Sequence, residues 1–534
     1  MLGAWGNAGK GGQSAPLRQA AVLLLVLLAT LWATFRIGIT SSGAGDTAAL
    51  SANDRSRWAT VAALVHHGTY AIDEIIIETD PITGARREDK RWQTIDRVKH
   101  KGNDGWEHDY SSKPPLLPTI VAGEYWLMHA ITGWDITEEP ILVIRSLLIL
   151  TNIPLFLLVV FIGVGWANRY CTTGWAVVFA TAVITWGTFL MTFSSTLNNH
   201  LVAAASAAVA LESYLRIKSG ARHPVLWSLL GGASAAFTAA NELPALSFLC
   251  GLALLYGLQS RKWLFAGYLP GALVVACAFF GTNWLAHGSI VPAYAHRSDG
   301  PEIARIRYDE TVMEKGVFPE AWKAKIPIDL SEDAQLLPHA IDGRWMIWDR
   351  IGQDRLAVIK ENGALSIRSW ENWYDYPGSY WVSERKSRID RGEPSRIRYA
   401  FHITLGHHGI FSLSPVWFLS LLGGVWWYRS GRFRLELASI LALTVICILF
   451  YVFRPQGDRN YGGSCCGLRW MFWFIPMWFF SLLPALDRLA GMRGYRQLAN
   501  LAFLASIISA VYAYANPWQH PWLYQLFVAF PELP

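Results

Sequence analysis

A single carboxylate and a single lysine stand near the two ends of the first long polar loop. Asp54 lies in the segment Asn53-Asp54-Arg55-Ser56-Arg57, just past the first apolar run, and Lys113 precedes two prolines and the next apolar run. A carboxylate takes the proton of an attacking hydroxyl when it acts as a general base. A lysine ammonium can stabilise a departing phosphate without a metal ion. The two side chains together suit a transfer reaction in which a phosphate leaves.

Both residues also have plain structural interpretations. A carboxylate in the first turn of a helix is favoured by the helix dipole, and Asp54 opens a helix that Gly68 would end. Lys113 is placed where a lysine extends its ammonium to lipid headgroups. If Asp54 is a base, Arg57 lies one helical turn later and is a candidate to orient it or to bind the donor.

A glycine-rich loop near the end of the chain supplies a second cationic candidate. It reads Gly462-Gly463-Ser464-Cys465-Cys466-Gly467-Leu468-Arg469 and precedes an apolar segment. Glycines allow backbone amides to approach an anion closely. Arg469 is therefore predicted to contact the same phosphate as Lys113 and to converge with it near Asp54.

Other polar residues fall at turns on the same predicted side of the membrane. These candidates for substrate binding are Asn198, Asn199, His200, Glu242, His407 and His408. Polar residues at helix ends are ordinarily caps, but Glu242 would be costly if it faced lipid. His407 and His408 are either loop histidines or contacts to a carrier phosphate or a metal ion.

The composition indicates a membrane protein. The 534 residues are 52% hydrophobic and 16% charged, with a mean hydropathy of +0.24, whereas soluble domains average about 25% charged residues. Eleven apolar segments approach the roughly 20 residues that span a bilayer. They are 19–39, 141–166, 175–194, 199–217, 225–241, 242–257, 263–286, 409–428, 435–453, 469–486 and 498–515.

The basic residues predict the orientation of these segments. Lysines and arginines cluster before the first segment and after every second one, which places those ends in the cytoplasm. The N-terminus is then inside, and the loops 41–140 and 287–408 and the tail 516–534 are outside. The interrupted apolar run 117–133 is expected to lie on the outer surface as an amphipathic helix. The net charge of +6 thus needs no nucleic-acid partner.

The predicted fold class is an all-α polytopic membrane protein with about 11 spans, outer surface helices and a small extracytoplasmic α/β insertion. The first span is expected to be an uncleaved anchor, because its apolar core exceeds that of a signal peptide. Strands are predicted at 70–77 and 92–98, with a turn at 81–84. The predicted segments are a cytoplasmic tail 1–18, a membrane module 19–286, an inserted domain 287–408, membrane helices 409–515 and an outer tail 516–534.

The six cysteines show no metal-binding spacing, so a zinc site built on cysteine is not expected. No cofactor is required by the predicted chemistry. A divalent metal ion stays open as a possibility.

Through three motifs the chain resembles the GT-C superfamily of membrane glycosyltransferases. Within that superfamily it most resembles the group of protein O-mannosyltransferases and lipid A aminoarabinose transferases. The motifs are the helix from Asp54 to Gly68-Thr69-Tyr70, the motif Lys113-Pro114-Pro115-Leu116-Leu117, and the loop from Gly462 to Arg469. The resemblance covers the first half of the chain well and the last quarter loosely. The block 287–408 has no counterpart.

The resemblance implies that Asp54 is the catalytic base and that Lys113 contacts a carrier phosphate. It implies a polyprenyl-phosphate sugar donor, a lipid, glycan or protein acceptor, transfer outside the inner or plasma membrane, and inversion at the anomeric carbon. The chain departs from the family at Arg55 and Ser112, where acids are common. It departs again at Asn198-Asn199-His200, where an acid often stands.

Two other functions fit parts of the pattern. A transporter or flippase for a lipid-linked sugar would place its charges and broken helices near the bilayer midplane, often in repeats. Here the polar residues gather toward one surface and no repeat is evident. A non-catalytic scaffold would explain the exposed block 287–408 but not Asp54 together with Lys113.

Overall fold

The structure is a computed structural model that describes residues 14–79, 83–315, 318–339, 341–382 and 385–529. Three sequence-based predictions fall partly outside the described residues. They concern most of the N-terminal tail 1–18, Pro81 and Ile82 of the turn 81–84, and the last five residues of the tail 516–534.

The chain is mainly helical and is built as an integral membrane protein. Six helices among the described residues are long and apolar enough to cross a membrane. They are Ala15–Ile39, Pro140–Tyr170, Gly174–Ser195, Arg261–His287, Arg434–Phe453 and Arg469–Leu489. The other five predicted segments are also mainly helical, but they do not combine that length with that composition, so the predicted count of eleven spans stays a prediction.

The chain divides into two compact units. Unit 1 contains residues 1–54, 124–279 and 388–534, and unit 2 contains 55–123 and 280–387. The segment 287–408, predicted as one inserted domain, is thus shared: 287–387 belongs to unit 2 and 388–408 to unit 1. Unit 2 also includes residues 55–123 of the first polar loop, whereas 124–140 belong to unit 1.

Five of the six candidate spans belong to unit 1, and the sixth, Arg261–His287, belongs to it up to Phe279. Unit 1 contains further helices. The longer ones are Asn199–Lys218, Pro224–Asn241, Leu246–Gln259, Arg396–Thr404, Phe418–Arg429, Arg493–Tyr512 and Trp522–Ala529. The predicted segment 409–428 is broken into the short helices Ile410–Leu413 and Pro415–Trp417 before Phe418–Arg429. Pro415 explains the break, because proline lacks the amide hydrogen that a continuing helix needs.

Two glycine contacts hold the Pro224–Asn241 helix against the candidate span Arg261–His287. A Cβ at Gly232 would lie 1.9 Å from the Tyr268 carbonyl oxygen, and one at Gly271 would lie 2.0 Å from that of Leu229. No side chain fits at either position. The two backbones therefore pack directly on each other, as small residues allow between membrane helices.

Unit 2 contains a five-stranded antiparallel sheet, which accounts for the predicted β content of the insertion. The strands, in spatial order, are Glu302–Arg307, Ala364–Ser369, Asp354–Glu361, Arg344–Asp349 and Gln335–Pro338. One face buries Ile347, Val358 and Ile367, and Trp322 from the short helix Glu320–Lys323 packs in the same cluster. Alternating apolar residues and a covering helix give this sheet its own core.

Unit 2 also contains two small hairpins, and their strands differ from those predicted at 70–77 and 92–98. Ile77–Thr79 pairs with Arg86–Glu88, and Arg97–Lys101 pairs with Glu107–Ser111. The predicted strand 70–77 instead contains the helical turn Asp73–Ile76, and most of 92–98 is not strand. The turn forms because the Asp73 carboxylate accepts the Asp109 amide at 3.1 Å, while the amides of Ile75 and Ile76 donate to the Ile72 carbonyl.

The predicted surface helix 117–133 is observed as Leu116–Thr132. Its exposed apolar side chains include Ile120, Trp126, Leu127 and Ile131. An apolar face with a tryptophan is typical of a helix that lies at a membrane interface.

Candidate functional site

Asp54 lies in the first turn of the helix Ala52–His67 and caps its start. Its Oδ1 accepts the Ser51 amide at 2.6 Å and the Ser51 hydroxyl at 2.7 Å, and its Oδ2 accepts the Leu50 amide at 2.9 Å. The Ser51 hydroxyl in turn accepts the Asn53 amide at 3.2 Å. Serine and an acid three residues later form a capping box, which satisfies amides that have no partner within the helix. Asp54 therefore has the structural role of a carboxylate that caps the first turn of its helix.

The same carboxylate has a fourth partner from a distant part of the chain. The Thr196 hydroxyl donates to Asp54 Oδ2 at 2.9 Å, and both side chains are fully buried. Complete burial raises the pKa of Asp54 above its ordinary value, although the hydrogen bonds from Ser51, Leu50 and Thr196 act in the opposite direction. A buried carboxylate that already accepts a hydroxyl proton is suited to proton transfer.

The C-terminal tail reaches the same place. The indole nitrogen of Trp518 donates to the Thr196 hydroxyl oxygen at 3.2 Å. The Cys466 amide donates to the Pro517 carbonyl at 3.0 Å, which holds the tail on the glycine-rich loop. The segment predicted as an outer tail thus supplies a side chain to the site.

Arg469 joins this group through Trp518. Its guanidinium carbon lies 4.9 Å from the centre of the Trp518 ring, and its Nε donates to the Gly462 carbonyl at 2.9 Å. Gly462 has a φ of +93°, and a Cβ there would lie 3.0 Å from Arg469 Nε. Glycine is therefore required for the loop to close around the arginine. Among the described residues, no carboxylate forms a salt bridge with Arg469.

His200 and Glu242 join the two predicted outer turns at 198–200 and 241–242, and His200 also contacts Arg469. Arg469 Nη1 lies 3.0 Å from His200 Nε2, and His200 Nδ1 lies 2.5 Å from Glu242 Oε1. Asn199 Nδ2 also donates to Glu242 Oε1, at 2.7 Å. His200 is 1% exposed and Glu242 is 4% exposed, so the buried carboxylate has the paired neighbours that burial requires.

Unit 1 therefore gathers residues from five separate segments into one connected group. We call it the carboxylate–arginine network, and it consists of Asp54, Thr196, Trp518, Arg469, His200 and Glu242. The buried carboxylate of Asp54 lies at one end of the network. The half-buried guanidinium of Arg469 lies toward the other end, where it contacts His200, which in turn contacts Glu242.

Two predicted site residues, Lys113 and Arg57, belong to unit 2. Lys113 Nζ forms a salt bridge with Asp96 Oδ2 at 3.0 Å, and Asp96 is buried. Arg57 is 3% exposed and lies one turn after Asp54 in the same helix. The shared phosphate contact of Lys113 and Arg469 stays a prediction.

Asn198 serves as a helix cap. Its side-chain oxygen accepts the amides of His200 and Leu201, at 2.9 and 3.0 Å, and its nitrogen donates to the carbonyls of Phe193 and Thr196. These bonds fix the start of the helix Asn199–Lys218 and the backbone that carries Thr196. Binding of substrate by Asn198 stays a prediction.

His407 and His408 lie in a buried aromatic cluster of unit 1. The ring of His407 stacks on that of His402 at 3.8 Å, and the ring of His408 stacks on Tyr461 at 4.9 Å. Burial, with neighbouring histidines, lowers the pKa of His407 to about 3 and that of His408 well below its ordinary value. These lowered pKa values favour the neutral imidazoles, and a contact of either histidine with a carrier phosphate or a metal ion stays a prediction.

Within the described ranges, no group of three or more histidine, cysteine, aspartate or glutamate side chains is placed to hold a metal ion. The possible divalent metal of the sequence-based prediction stays untested.

Sequence reasoning missed Thr196 and Trp518. Ser51 stands three residues before Asp54, which is the sequence signal of a capping box. Thr196 and Trp518 lie in no recognisable motif, and only the tertiary fold brings them to Asp54.

Comparisons with known proteins identify no family for this chain. No family model matches it, and no curated protein matches it. A solved structure that is similar is the Saccharomyces cerevisiae protein O-mannosyltransferase Pmt1–Pmt2 complex bound to the sugar donor. The identity is 10%, the TM-score is 0.42, and the match covers 96% of this chain and 92% of that one. That protein belongs to the group that the sequence motifs resemble, but the TM-score is too low to establish a shared fold.

Proposed function

We propose that this protein is a membrane glycosyltransferase that moves a sugar from a polyprenyl-phosphate donor to an acceptor hydroxyl on the extracytoplasmic side. The observation that supports this proposal most is the carboxylate–arginine network. It joins a buried carboxylate to a guanidinium that has no carboxylate partner among the described residues. A base and a phosphate contact are the two groups that the reaction needs.

In this mechanism Asp54 takes the proton of the acceptor hydroxyl. The acceptor oxygen forms a bond to the anomeric carbon as the bond from that carbon to the phosphate oxygen breaks. Polyprenyl phosphate leaves as an anion, which Arg469 stabilises. Attack opposite the leaving group inverts the anomeric carbon.

Thr196 indicates how an acceptor would meet the base. Its hydroxyl already donates to Asp54 Oδ2 at 2.9 Å, which is the hydrogen bond that an acceptor hydroxyl must form. Because Asp54 is 0% exposed, an acceptor reaches it only by displacing Thr196 or another neighbour. Displacement of a side-chain hydroxyl by a substrate hydroxyl keeps the carboxylate hydrogen-bonded throughout.

The direct test uses the full-length protein in liposomes with synthetic polyprenyl-phosphate sugars. Mass spectrometry of polyprenyl-phosphate sugars and surface glycans, from cells with and without the gene, selects the sugar and the acceptor. We expect the loss of the gene to raise the lipid-linked sugar and to remove one surface modification. Movement of intact lipid-linked sugar across the bilayer without any transfer would instead support a flippase.

The extracytoplasmic site makes a topological prediction. Single cysteines introduced into 41–112, 287–408 and 516–534 should react with a membrane-impermeant reagent added from outside, whereas cysteines in 429–434 should not. The background should lack Cys250 and Cys277, which are the exposed native cysteines among the described residues. Protection of 287–408, or outside labelling of 429–434, would contradict the proposed orientation.

A further inference from the structure

The hydrogen bonds around His200 determine where its proton lies. An arginine guanidinium only donates hydrogen bonds, so His200 Nε2, 3.0 Å from Arg469 Nη1, must be the acceptor. A carboxylate only accepts when ionised, so His200 Nδ1, 2.5 Å from Glu242 Oε1, must carry the proton. A doubly protonated ring would point an N–H at the Arg469 N–H. His200 is therefore a neutral imidazole with its hydrogen on Nδ1.

We infer that Glu242 and His200 are positioning residues that hold the Arg469 guanidinium in place for the phosphate. Glu242 selects the His200 tautomer, the lone pair on Nε2 accepts from Arg469, and the Gly462 carbonyl fixes the other side of the guanidinium. The catalytic role of His200 and Glu242 rests on the proposed function, whereas the tautomer of His200 follows from its hydrogen bonds alone.

The surroundings of His200 favour this arrangement. The rings of Phe193 and Phe472 pack edge-on against the imidazole, with centroids at 5.6 and 6.2 Å. Asn199 gives Glu242 a second donor on the same oxygen. A carboxylate–histidine pair in an apolar setting orients the ring and raises its basicity, as such pairs do behind metal ions.

The tautomer is tested without any activity measurement. Full-length protein labelled with 15N-histidine, in nanodiscs, is compared with the H200Q variant to assign the His200 signals. We expect an Nδ1-protonated, Nε2-unprotonated ring in the wild type. In R469A, Glu242 still accepts from Nδ1, so the tautomer should persist while the Nε2 signal shifts because it has lost the hydrogen bond from Arg469. A wild-type ring protonated on Nε2, or an Nε2 signal that R469A does not move, would overturn the inference whether or not the protein transfers sugars.

Kinetics then test the positioning role. His200→Leu removes the acceptor of Arg469 and should lower kcat/KM for the lipid donor by about 10²-fold, which is the cost of a misplaced group. His200→Gln keeps an acceptor oxygen and Glu242→Gln keeps an acceptor for Nδ1–H, so both should retain most of the activity. The KM for the acceptor should not change in any of these variants.

A double-mutant cycle separates positioning from a general structural role. If His200 acts through Arg469, adding H200L to the R469A variant should cost less than about 2-fold. An equal loss in both backgrounds, or a loss in H200Q as large as in H200L, would overturn the positioning role. Absence of transfer by the wild-type protein itself would reject the proposed function and leave the tautomer measurement to decide the hydrogen-bond assignment.

Discussion

Asp54→Asn is expected to lower sugar transfer by roughly 10²–10⁴-fold, the range for removal of a general base. The amide still accepts a hydrogen bond from the Ser51 amide but offers N–H groups where Oδ2 accepted the Leu50 amide and the Thr196 hydroxyl. The Thr196 hydroxyl can turn to accept instead, but the Leu50 amide loses its acceptor, so the fold should lose about 1–3 kcal/mol, the cost of a donor left without a partner. The measurement is turnover of a polyprenyl-phosphate sugar, beside thermal unfolding of the same preparation.

The pH profile provides a second measure of this role. Burial raises the pKa of Asp54, and a protonated carboxyl cannot take a proton. Wild-type transfer should therefore fall as the pH drops through that raised pKa and should be constant above it.

Asp487→Asn is the matched control for the loss of charge. The Asp487 carboxylate accepts the amides and hydroxyls of Thr172 and Thr173, at 2.7 to 3.1 Å, at the start of the helix Gly174–Trp186. It thus resembles Asp54 as a cap within unit 1 but has no part in the carboxylate–arginine network. Transfer near the wild-type rate in D54N, or an equal loss in D487N, would leave Asp54 as a cap alone.

Arg469→Ala is expected to lower kcat by about 10²–10³-fold, as the loss of one donor to a developing anion does. Arg469→Lys should recover only part of this loss, because one ammonium lacks the planar fork that donates to several acceptors at once. Steady-state kinetics with the lipid donor at saturating acceptor give both values.

Arg496→Ala controls for loss of a stacked arginine. The Arg496 guanidinium carbon lies 5.1 Å from the Trp175 ring centre, close to the 4.9 Å between Arg469 and Trp518, and both arginines are in unit 1. We expect R496A to transfer at the wild-type rate. A similar loss in R469A and R496A would point to a general packing effect and would remove Arg469 from the mechanism.

Local features of the sequence were predicted well because they depend on near neighbours. The helix Ala52–His67, the surface helix near 117–133 and the helical nature of the apolar segments all follow from periodicity and composition. The strand 70–77 was wrong. Its β-branched residues favour a strand, but Asp73 turns to bind the Asp109 amide across a hairpin that no local pattern reveals.

The site was predictable only in part. Asp54, Arg469, His200 and Glu242 were chosen by residue type and by their place at the ends of apolar runs. The contacts that connect Asp54 to Arg469 could not be predicted from the sequence, because they pass through Thr196 and Trp518. Both residues lie far from Asp54 in the chain. Threonine and tryptophan carry no charge that would mark them, and their role depends entirely on which helix ends meet.

The glycine contacts of the Pro224–Asn241 helix bear on how the protein responds to membranes of different thickness. A single helix in a thicker or thinner bilayer tilts or slides until its apolar length matches the hydrocarbon. Gly232 and Gly271 allow no such sliding, since their backbones touch Tyr268 and Leu229 directly. The two helices would adapt by tilting as a pair. Glu242, which directly follows Asn241, would keep its height relative to its neighbours, so lipid composition should alter donor access more than the geometry around His200.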